Sequence, residues 1–357
     1  MAPASSVLVR SPVRSLPRLH QIVLPTPWEI GPVQIYLIEG DPLTLIDTGV
    51  HRPNSRAALE AAFEALGCEL RDVRRVVLTH YHTDHMGQVQ MLRDAGADLE
   101  LQVHEADADD VENFSFEREE RIDASNALFR EHGVPSELLA RQAERIRREN
   151  EGVEPLAVAT RVDRRLRDGD RVACKDFELE VIHAPGHTAG HLVLSESQSG
   201  TLLTGDHLMG AAVPFTESFY LDGAPDPRDS LGRTPRFRGL PAYLRSLRRL
   251  RGGTFRCILP AHGGILDRPS RTIDDALLFY EVRVQRTLRA VEKVAAERGD
   301  ASGWEIWQQL FPKLDAETQM RTRMVMVIGA LDVLEDAGRV VARRRDDGVL
   351  AFRPTGA

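Results

Sequence analysis

The feature that most constrains this chain is a nine-residue segment, THYHTDHMG, that directly follows the apolar run VVL. It places His80, His82, Asp84 and His85 within six positions. The apolar run predicts a buried strand, and a tight loop at the end of a strand can point its side chains in two directions. A solvated polar loop would not require this spacing. The segment therefore predicts a metal site with room for two divalent ions side by side.

Three more candidate ligands lie farther along the chain. They are His187 in the segment PGHTAGH, Asp206 in TGDH and His262 in PAHGG. Each follows a short apolar run that predicts a buried strand, and each lies in a turn flanked by glycine. We therefore expect all three side chains at one edge of a sheet, close to the first segment.

Together, the HxHxDH segment and these three downstream residues resemble the pattern of the metallo-β-lactamase superfamily, which includes glyoxalase II-like thioesterases, lactonases and nucleases. The segment LIDTG, which contains Asp47, resembles the first turn of that family. The resemblance covers residues 30 to 270, and every ligand position of the dinuclear subgroup is present.

The resemblance implies two divalent metal ions, held by two sets of ligands. One set is His80, His82 and His187, the other is Asp84, His85 and His262, and Asp206 would bridge the two ions. Imidazole and carboxylate ligands with an open position suit catalytic zinc, with iron or manganese as alternatives. Asp47 would lie behind the metals and brace a histidine ring. The alternative for Asp47 is a turn-forming residue ahead of a glycine.

These ligands indicate hydrolysis. A water shared by two cations should lose a proton near neutral pH, and the resulting hydroxide would be the nucleophile. Asp84 would orient the hydroxide while binding its ion. We expect cleavage of a small ester or thioester, because a thiolate leaves without a strong general acid. A single-strand endoribonuclease, a lactone hydrolase and a non-catalytic DNA-binding regulator remain alternatives, and the proton donor stays open.

Twelve histidines are more than this site needs. His183 and His191 flank the turn that carries His187, and packing or support of the ligands is favoured over direct lining of the site. His207 follows Asp206 and should face elsewhere. We interpret four others as ordinary surface or loop residues: His20, His51, His104 and His132.

Composition narrows the range of partners. The net charge of −8 argues against a general polyanion binder, although a local basic face could override it. No stretch reaches the roughly twenty apolar residues that span a bilayer, so no membrane partner is expected. The N-terminal segment contains Arg10, Arg14 and Arg18 but no long apolar run, which favours a cytoplasmic protein over a secreted one. Cys68, Cys174 and Cys257 are scattered singly, which excludes a four-cysteine zinc site. The oligomeric state stays open.

Alternating strand and helix patterns predict the α/β class, and the resemblance implies a four-layer αββα sandwich. Predicted strands end before each candidate ligand, and two of them form a hairpin across Gly40-Asp41-Pro42. We predict four segments in chain order: an N-terminal extension over residues 1–29, a metal hydrolase domain over 30–272, a linking helix over 273–300 and a winged-helix-like domain over 301–357.

A helical insert is expected at about residues 105–150 of the hydrolase domain. It could be a lid over the active site, with Phe114, Phe116 and Phe129 as an apolar wall, or it could serve packing and solvation alone. The loop over residues 211–238 is the other candidate wall.

The C-terminal segment has the pattern of helix, helix and hairpin. Ser302 begins a capping-box sequence, SGWE, and a β-hairpin surrounds the turn DDG. This order resembles a winged helix, and its pairing with the metal-binding core resembles the lactamase-beta-like branch, which has members that cleave RNA and members assigned to thioester hydrolysis. Arg343, Arg344 and Arg345 lie where a wing would touch phosphate. A solvated charge run is the alternative, and nucleic acid is therefore a possible but not a favoured partner.

Overall fold

The computed structural model describes residues 9–115, 119–210, 212–225 and 227–356. The chain forms two compact units, each built from separated stretches. The N-terminal unit comprises Met1–Phe116, Glu154–Pro214 and Ser246–Asp274, and the C-terminal unit comprises Glu117–Val153, Phe215–Arg245 and Asp275–Ala357. This division differs from the contiguous domains that the sequence predicts.

The strands, in chain order, are β1 (Val9–Arg10), β2 (Leu19–Leu24), β3 (Val33–Ile38), β4 (Thr44–Ile46), β5 (Arg75–Val77), β6 (Glu100–His104), β7 (Arg164–Leu166), β8 (Arg171–Ala173), β9 (Glu178–His183), β10 (Leu192–Glu196), β11 (Thr201–Gly205), β12 (Ser218–Tyr220), β13 (Arg236–Arg238), β14 (Cys257–Pro260), β15 (Ala301–Ser302), β16 (Val340–Arg344) and β17 (Leu350–Pro354). The helices are α1 (Pro53–Ala65), α2 (Thr83–Met86), α3 (Val89–Asp94), α4 (Glu105–Glu112), α5 (Glu119–Glu131), α6 (Ser136–Asn150), α7 (Gly239–Arg251), α8 (Pro269–Arg298), α9 (Gly303–Leu310) and α10 (Ala316–Asp336), with a short 3₁₀ turn at Leu70–Asp72. Among these described helices, none is long and apolar enough to cross a lipid bilayer.

The first sheet of the N-terminal unit runs in chain order from β1 to β7. Its first four strands are antiparallel, whereas β4 to β7 are parallel. The carboxyl ends of β4 and β5 therefore meet at one edge of the sheet. Asp47 follows β4 there, and the residues that lead to His80 follow β5.

The second sheet has the order β14-β11-β10-β9-β8. Because β11 is parallel to β14, and β10 is antiparallel to both β9 and β11, strands β9, β11 and β14 point the same way. Their carboxyl ends precede His187, Asp206 and His262, as the sequence analysis expected.

Two apolar cores hold the N-terminal unit together. One lies between the sheets and joins Ile38 and Val77 of the first sheet to Val181, Leu203 and Leu259 of the second. The other packs the helices α1 and α3 against the outer face of the first sheet. Burial of apolar surface on both faces explains the continuous apolar runs of the central strands. The predicted α/β class and the two-sheet sandwich are confirmed.

The predicted N-terminal extension contributes a strand to the first sheet. Residues 19–24 form β2, which pairs along its whole length with β3. The polar pair His20 and Gln21 breaks the apolar pattern of this strand. Gln21 is nevertheless fully buried, and its side-chain amide donates to Gln34 Oε1 at 2.7 Å and to Tyr36 Oη at 3.3 Å. Internal hydrogen bonds therefore replace the apolar contacts that a sequence pattern would reveal.

The predicted insert is helical, with α4, α5 and α6. Its aromatic residues favour packing over an exposed wall, since Phe129 is 2% exposed and Phe114 packs against the outer core of the N-terminal unit. Phe116 lies outside the described residues. The second candidate wall is in part a hairpin, β12 and β13, in which the rings of Phe219 and Phe237 lie 5.3 Å apart; Ala211 and Asp226 of that stretch also lie outside the described residues.

The C-terminal unit contains the predicted helix, helix and hairpin as α9, α10, β16 and β17, and β15 pairs with β17. The predicted capping box at Ser302 is confirmed. All three arginines pair with acidic residues, although Arg343 and Arg344 stay exposed. Arg343 and Arg345 both pair with buried Asp300, and Arg344 pairs with Glu131. Assignment of this unit to the winged-helix class stays a prediction.

Candidate metal centre

The first four candidate ligands owe their positions to the end of β5 and to one short helix. His80 and His82 lie in the loop after the strand, and Asp84 and His85 lie on α2. The carbonyl of His85 accepts the Thr48 amide at 2.7 Å and the Thr48 hydroxyl at 2.8 Å, which anchors α2 to the turn after β4. The loop and the helix bring the side chains together, and the rings of His80 and His85 lie 3.9 Å apart.

His80, His82 and His187 form the first group of possible metal ligands. His82 Nδ1 lies 3.0 Å from His80 Nε2 and 3.0 Å from His187 Nε2. Two imidazole ligands of one tetrahedral zinc ion lie about 3.3 Å apart. The three nitrogens therefore already lie close to the separation that a shared ion requires.

Asp84, His85 and His262 form a second group. His262 Nε2 lies 3.1 Å from Asp84 Oδ2, and His85 Nε2 lies 3.8 Å from Asp84 Oδ1. His262 Nδ1 donates to the carbonyl of Pro32 at 3.1 Å, which leaves Nε2 facing the carboxylate. This group combines two imidazoles with one carboxylate, a donor set that suits zinc, iron or manganese.

Asp206 lies between the two groups. Its Oδ2 is 3.4 Å from His187 Nε2, whereas its Oδ1 is 3.5 Å from His85 Nε2 and 3.6 Å from His262 Nε2. Each carboxylate oxygen therefore faces a different group of histidines. The structure places all seven predicted ligands in one cluster.

Two atoms of the cluster show that the residues fit a cation. His85 Nε2 and Asp206 Oδ1 are buried and have no hydrogen-bond partner among the described residues. A buried acceptor left without a partner costs about 1–3 kcal/mol, and more if it is charged. A metal ion in contact with both atoms would remove this cost.

Asp47 lies behind His85, where the resemblance expects it. Its Oδ2 accepts a hydrogen bond from His85 Nδ1 at 2.8 Å, which leaves His85 Nε2 facing the cluster. The Thr79 amide and hydroxyl donate to the same carboxylate at 2.8 and 2.9 Å. Asp47 has a φ of 63°, a conformation that costs energy for a residue other than glycine. Such strained positions concentrate at functional sites.

The charges of the cluster support one another. Burial alone would lower the pKa of His85, but Asp47, Asp84 and Asp206 outweigh it and raise that pKa well above the usual value. Burial would raise the pKa of Asp206, but His85 and His187 hold it well below the usual range. Burial and the neighbouring imidazoles lower the pKa of His80, so this ring stays neutral. A cation bound in the cluster would displace the proton that the three carboxylates favour on His85.

Of the remaining histidines, His191 supports the cluster, and several others are buried elsewhere. His191 is fully buried, and its Nε2 accepts the backbone amide of Asp206 at 3.2 Å, a supporting contact of the favoured type. His183 stacks on His104, with ring centroids 3.8 Å apart. The expectation that His20, His104 and His132 are surface or loop residues is wrong. They are 9%, 4% and 1% exposed, respectively.

One acidic residue that the sequence analysis did not single out supports the His187 turn. Asp107 on α4 is fully buried, accepts the Thr188 hydroxyl at 2.6 Å and also accepts the Gly190 amide. A Cβ at Gly190 would lie 2.6 Å from the Asp107 backbone nitrogen, so only glycine permits this approach. Asp107 lies in an acidic run, HEADADD, and nothing local distinguishes it from its exposed neighbours.

The amino-acid sequence of this chain is similar to those of known metal-dependent hydrolases. A family model described as the metallo-beta-lactamase superfamily matches residues 28–262. The chain is 30% identical to a probable metallo-hydrolase of Bacillus subtilis, YqjP, over 88% of this chain and 91% of that protein. It is 21% identical to an atrochrysone carboxyl ACP thioesterase of Aspergillus fumigatus, over 86% of this chain and 81% of that protein.

Solved structures share the fold over nearly the whole chain. A metallo-beta-lactamase family protein of Thermus thermophilus is similar with a TM-score of 0.72 and 25% identity, over 96% of this chain and all of that one. A beta-lactamase domain protein of Burkholderia ambifaria has a TM-score of 0.68 at 20% identity, over 98% of this chain and 97% of that one. The likeness extends through the C-terminal unit as well as the metal-binding one.

Proposed function

Since the chain belongs to the metallo-β-lactamase superfamily and is a metal-dependent hydrolase, we propose that it hydrolyses a small ester or thioester with two divalent metal ions. The observation that carries this proposal is the position of Asp206, within 3.6 Å of His187, His85 and His262. A carboxylate that faces two sets of histidines is suited to contact two ions at once.

In this proposal the ligands divide as the resemblance implies. One ion would be held by His80, His82 and His187 and the other by Asp84, His85 and His262, with Asp206 between the two sets. When bound, such ions lower the pKa of water and polarise the carbonyl oxygen under attack. Zinc suits the donor set, with iron or manganese as alternatives.

The chain's own residues position and move protons. The Oδ2 atom of Asp84 lies 3.1 Å from His262 Nε2, and its Oδ1 atom lies 3.8 Å from His85 Nε2. We assign Asp84 Oδ1 to orient the attacking water and to accept its proton. Asp47 keeps the proton of His85 on Nδ1, so that Nε2 stays available as a ligand. Asp47 is thus a positioning residue.

Three arguments favour thioesters over phosphodiesters. A thiolate leaves without a strong proton donor, and one relative, matched over 81% of its own length, is named as a thioesterase. The arginine run that a nucleic acid would need is already engaged, because Arg343, Arg344 and Arg345 all pair with acidic residues. Affinity for nucleic acid depends on cationic side chains that are free to contact phosphate.

The test is a parallel substrate screen. Full-length protein reconstituted with zinc, manganese or iron is offered acyl-CoA, acyl-glutathione and acyl-carrier-protein thioesters, a lactone and labelled single-stranded RNA. We expect turnover of a thioester, abolished in His187→Ala and retained in His51→Gln, which changes a histidine outside the cluster. Turnover of RNA alone, or full activity in His187→Ala, would contradict the proposal.

A further inference from the structure

The C-terminal unit contains a cavity of about 410 Å³ between the middle of α8, the end of α9 and α10. Its walls are largely apolar and include Leu278, Phe279 and Val282 of α8, Phe311 after α9 and Met326 of α10. Small-molecule sites typically measure roughly 300–1,000 Å³ and are lined by apolar and aromatic side chains with a few polar groups. The size and lining of this cavity match that description.

The apolar side chains of α8 that line the cavity are exposed to solvent. Leu278, Phe279 and Val282 are 57%, 38% and 43% exposed, and they account for three of the nine large apolar side chains that are exposed in the described part of the chain. The buried stripe of α8 is a different one, and it contains Tyr280 and Val284. A second apolar stripe beside the core-facing one indicates a surface that a ligand covers.

Two arginines also line the cavity. Arg283 and Arg286 line it, and neither forms an ion pair with an acidic residue in the described ranges. Arg283 donates to the sulfur of Met326 at 3.2 Å and lies 5.0 Å above the ring of Phe279, so its half-buried guanidinium has only soft, uncharged partners. The one carboxylate of the lining, Asp275, is eight residues away along α8, which corresponds to about 12 Å.

This environment is unfavourable for a cation. Burial, together with repulsion by Arg286 and Arg323, lowers the pKa of Arg283, although Tyr280 partly opposes the shift. Other partly buried arginines of the same unit have carboxylate partners, as in the pairs Arg236 with Asp332 and Arg345 with Asp300. An external anion at Arg283 would supply the missing partner.

We propose that this cavity binds an amphipathic organic anion, whose apolar chain fills the cavity and whose carboxylate or phosphate contacts Arg283 and Arg286. Charge complementarity selects this occupant, because two arginines line the cavity and the described residues give neither of them an ion pair with an acidic residue. An anion bonded to a guanidinium gains roughly 1.5–3 kcal/mol, whereas an uncharged apolar partner would leave both arginines uncompensated.

The experiment is a calorimetric titration of the full-length, metal-loaded protein below micellar concentrations. The ligands are decanoate, decyl phosphate and decyltrimethylammonium, which share a tail and differ in head group. We expect both anions to bind, the tighter one to identify the head group, and the cation to bind at least tenfold more weakly. Arg283→Gln should weaken anion binding by about tenfold, which corresponds to about 1.4 kcal/mol.

Matched variants locate the effect. Arg289→Gln removes an exposed arginine of the same helix that does not line the cavity, and it should bind the anions as wild type does. Arg286→Gln changes an exposed side chain, so it should fold normally and weaken binding even if Arg283→Gln does not fold. Leu278→Asp should also weaken binding, because it places a negative charge beside the anion.

Four outcomes would overturn the proposal. The first is equal affinity for the cation and the anions. The second is unchanged anion binding in both Arg286→Gln and Leu278→Asp. The third is anion binding that is lost in Asp206→Ala but kept in the cavity variants, which would place the anion at the metal centre. The fourth is a dimer that Leu278→Asp dissociates while no anion binds, which would make the surface an interface between copies.

Discussion

The two units of this chain bury carboxylates in opposite ways. In the N-terminal unit, Asp206 lies among histidines and keeps one oxygen without a hydrogen-bond partner in the described residues. In the C-terminal unit, Asp332 is equally buried but is held by Arg236 and Arg238. A buried carboxylate is costly unless a cation or hydrogen-bond donors compensate its charge. The C-terminal unit supplies that cation from its own chain, whereas the residues of the metal centre suit an external one.

The largest expected effect concerns the carboxylate between the two histidine groups. Asp206→Ala removes the carboxylate that faces both groups, so we expect bound metal to fall and kcat/KM for a thioester to drop on the order of 10³-fold, or about 4 kcal/mol. Metal content per chain and steady-state kinetics measure this. Chelation of the wild type should give the same loss, and added metal should restore activity only in the wild type. Wild-type metal content and activity in the variant would break the comparison.

The second effect should appear in stability. Asp332→Ala leaves Arg236 buried without its partner, and breaking a buried ion pair typically costs about 3–5 kcal/mol. Urea unfolding measures the loss, and kcat of the folded fraction should stay at the wild-type value. The matched control is Asp336→Ala, because Asp336 pairs with Arg238 from a position 49% exposed and should change stability by at most about 1 kcal/mol. Equal losses in the two variants would show that burial does not decide the value of these pairs.

The third effect tests Asp107 as a positioning residue. Asp107→Asn can accept only one of the two hydrogen bonds from Thr188 and Gly190, so the turn that carries His187 should loosen. Loss of such a supporting contact typically lowers metal affinity or activity by roughly 10–100-fold. Competition with a chromophoric chelator gives the metal affinity, a readout that a purely structural role would leave unchanged. Asp109→Asn is the control, since Asp109 is 77% exposed on the same helix and pairs with Arg165. Matching affinities in both variants would count against the assignment.

The smallest expected effect is a pH dependence of the free energy of unfolding, caused by the buried His132 of the C-terminal unit. Burial, with Arg236 and Arg233, lowers the pKa of His132 to about 3, so the folded state binds this proton more weakly than the unfolded state does. The contribution of neutral His132 to the free energy of unfolding is therefore fully present above pH 6.5, and it falls as the pH drops towards 3. The loss at pH 5 should be about 2 kcal/mol. His132→Phe should remove this contribution, as urea unfolding at about pH 7 and about pH 5 can measure. Identical pH slopes in wild type and variant would exclude it.

The sequence predicted the residues that belong to short motifs, and it missed those whose role depends on a contact with a distant part of the chain. The HxHxDH spacing and the turns after β9, β11 and β14 are local patterns, and they predicted a cluster that the structure brings together. Asp107 could not be found this way, because its partner Thr188 lies 81 positions away and its acidic neighbours hide it. The same reason applies to β2, in which Gln21 is buried only through hydrogen bonds to Gln34 and Tyr36.

Charge runs were the least informative pattern. Arg343 to Arg345 suggested either phosphate contact or solvation, and the structure adds ion pairs with Asp300 and Glu131 that the sequence does not reveal. The sequence of a charged stretch does not show which carboxylate the fold will bring to it. His132 was likewise interpreted as a surface or loop residue. The sequence could not reveal its burial, because its ring packs against Phe352, far away in the chain.

The most direct test of the proposed dinuclear centre is a metal titration of the metal-free protein, followed by elemental analysis and thioester turnover on the same samples. The proposal predicts saturation at two ions per chain, activity that depends on occupancy, and loss of both in His187→Ala. Full thioesterase activity in metal-free protein, or saturation without any bound ion at His80, His82 and His187, would contradict it.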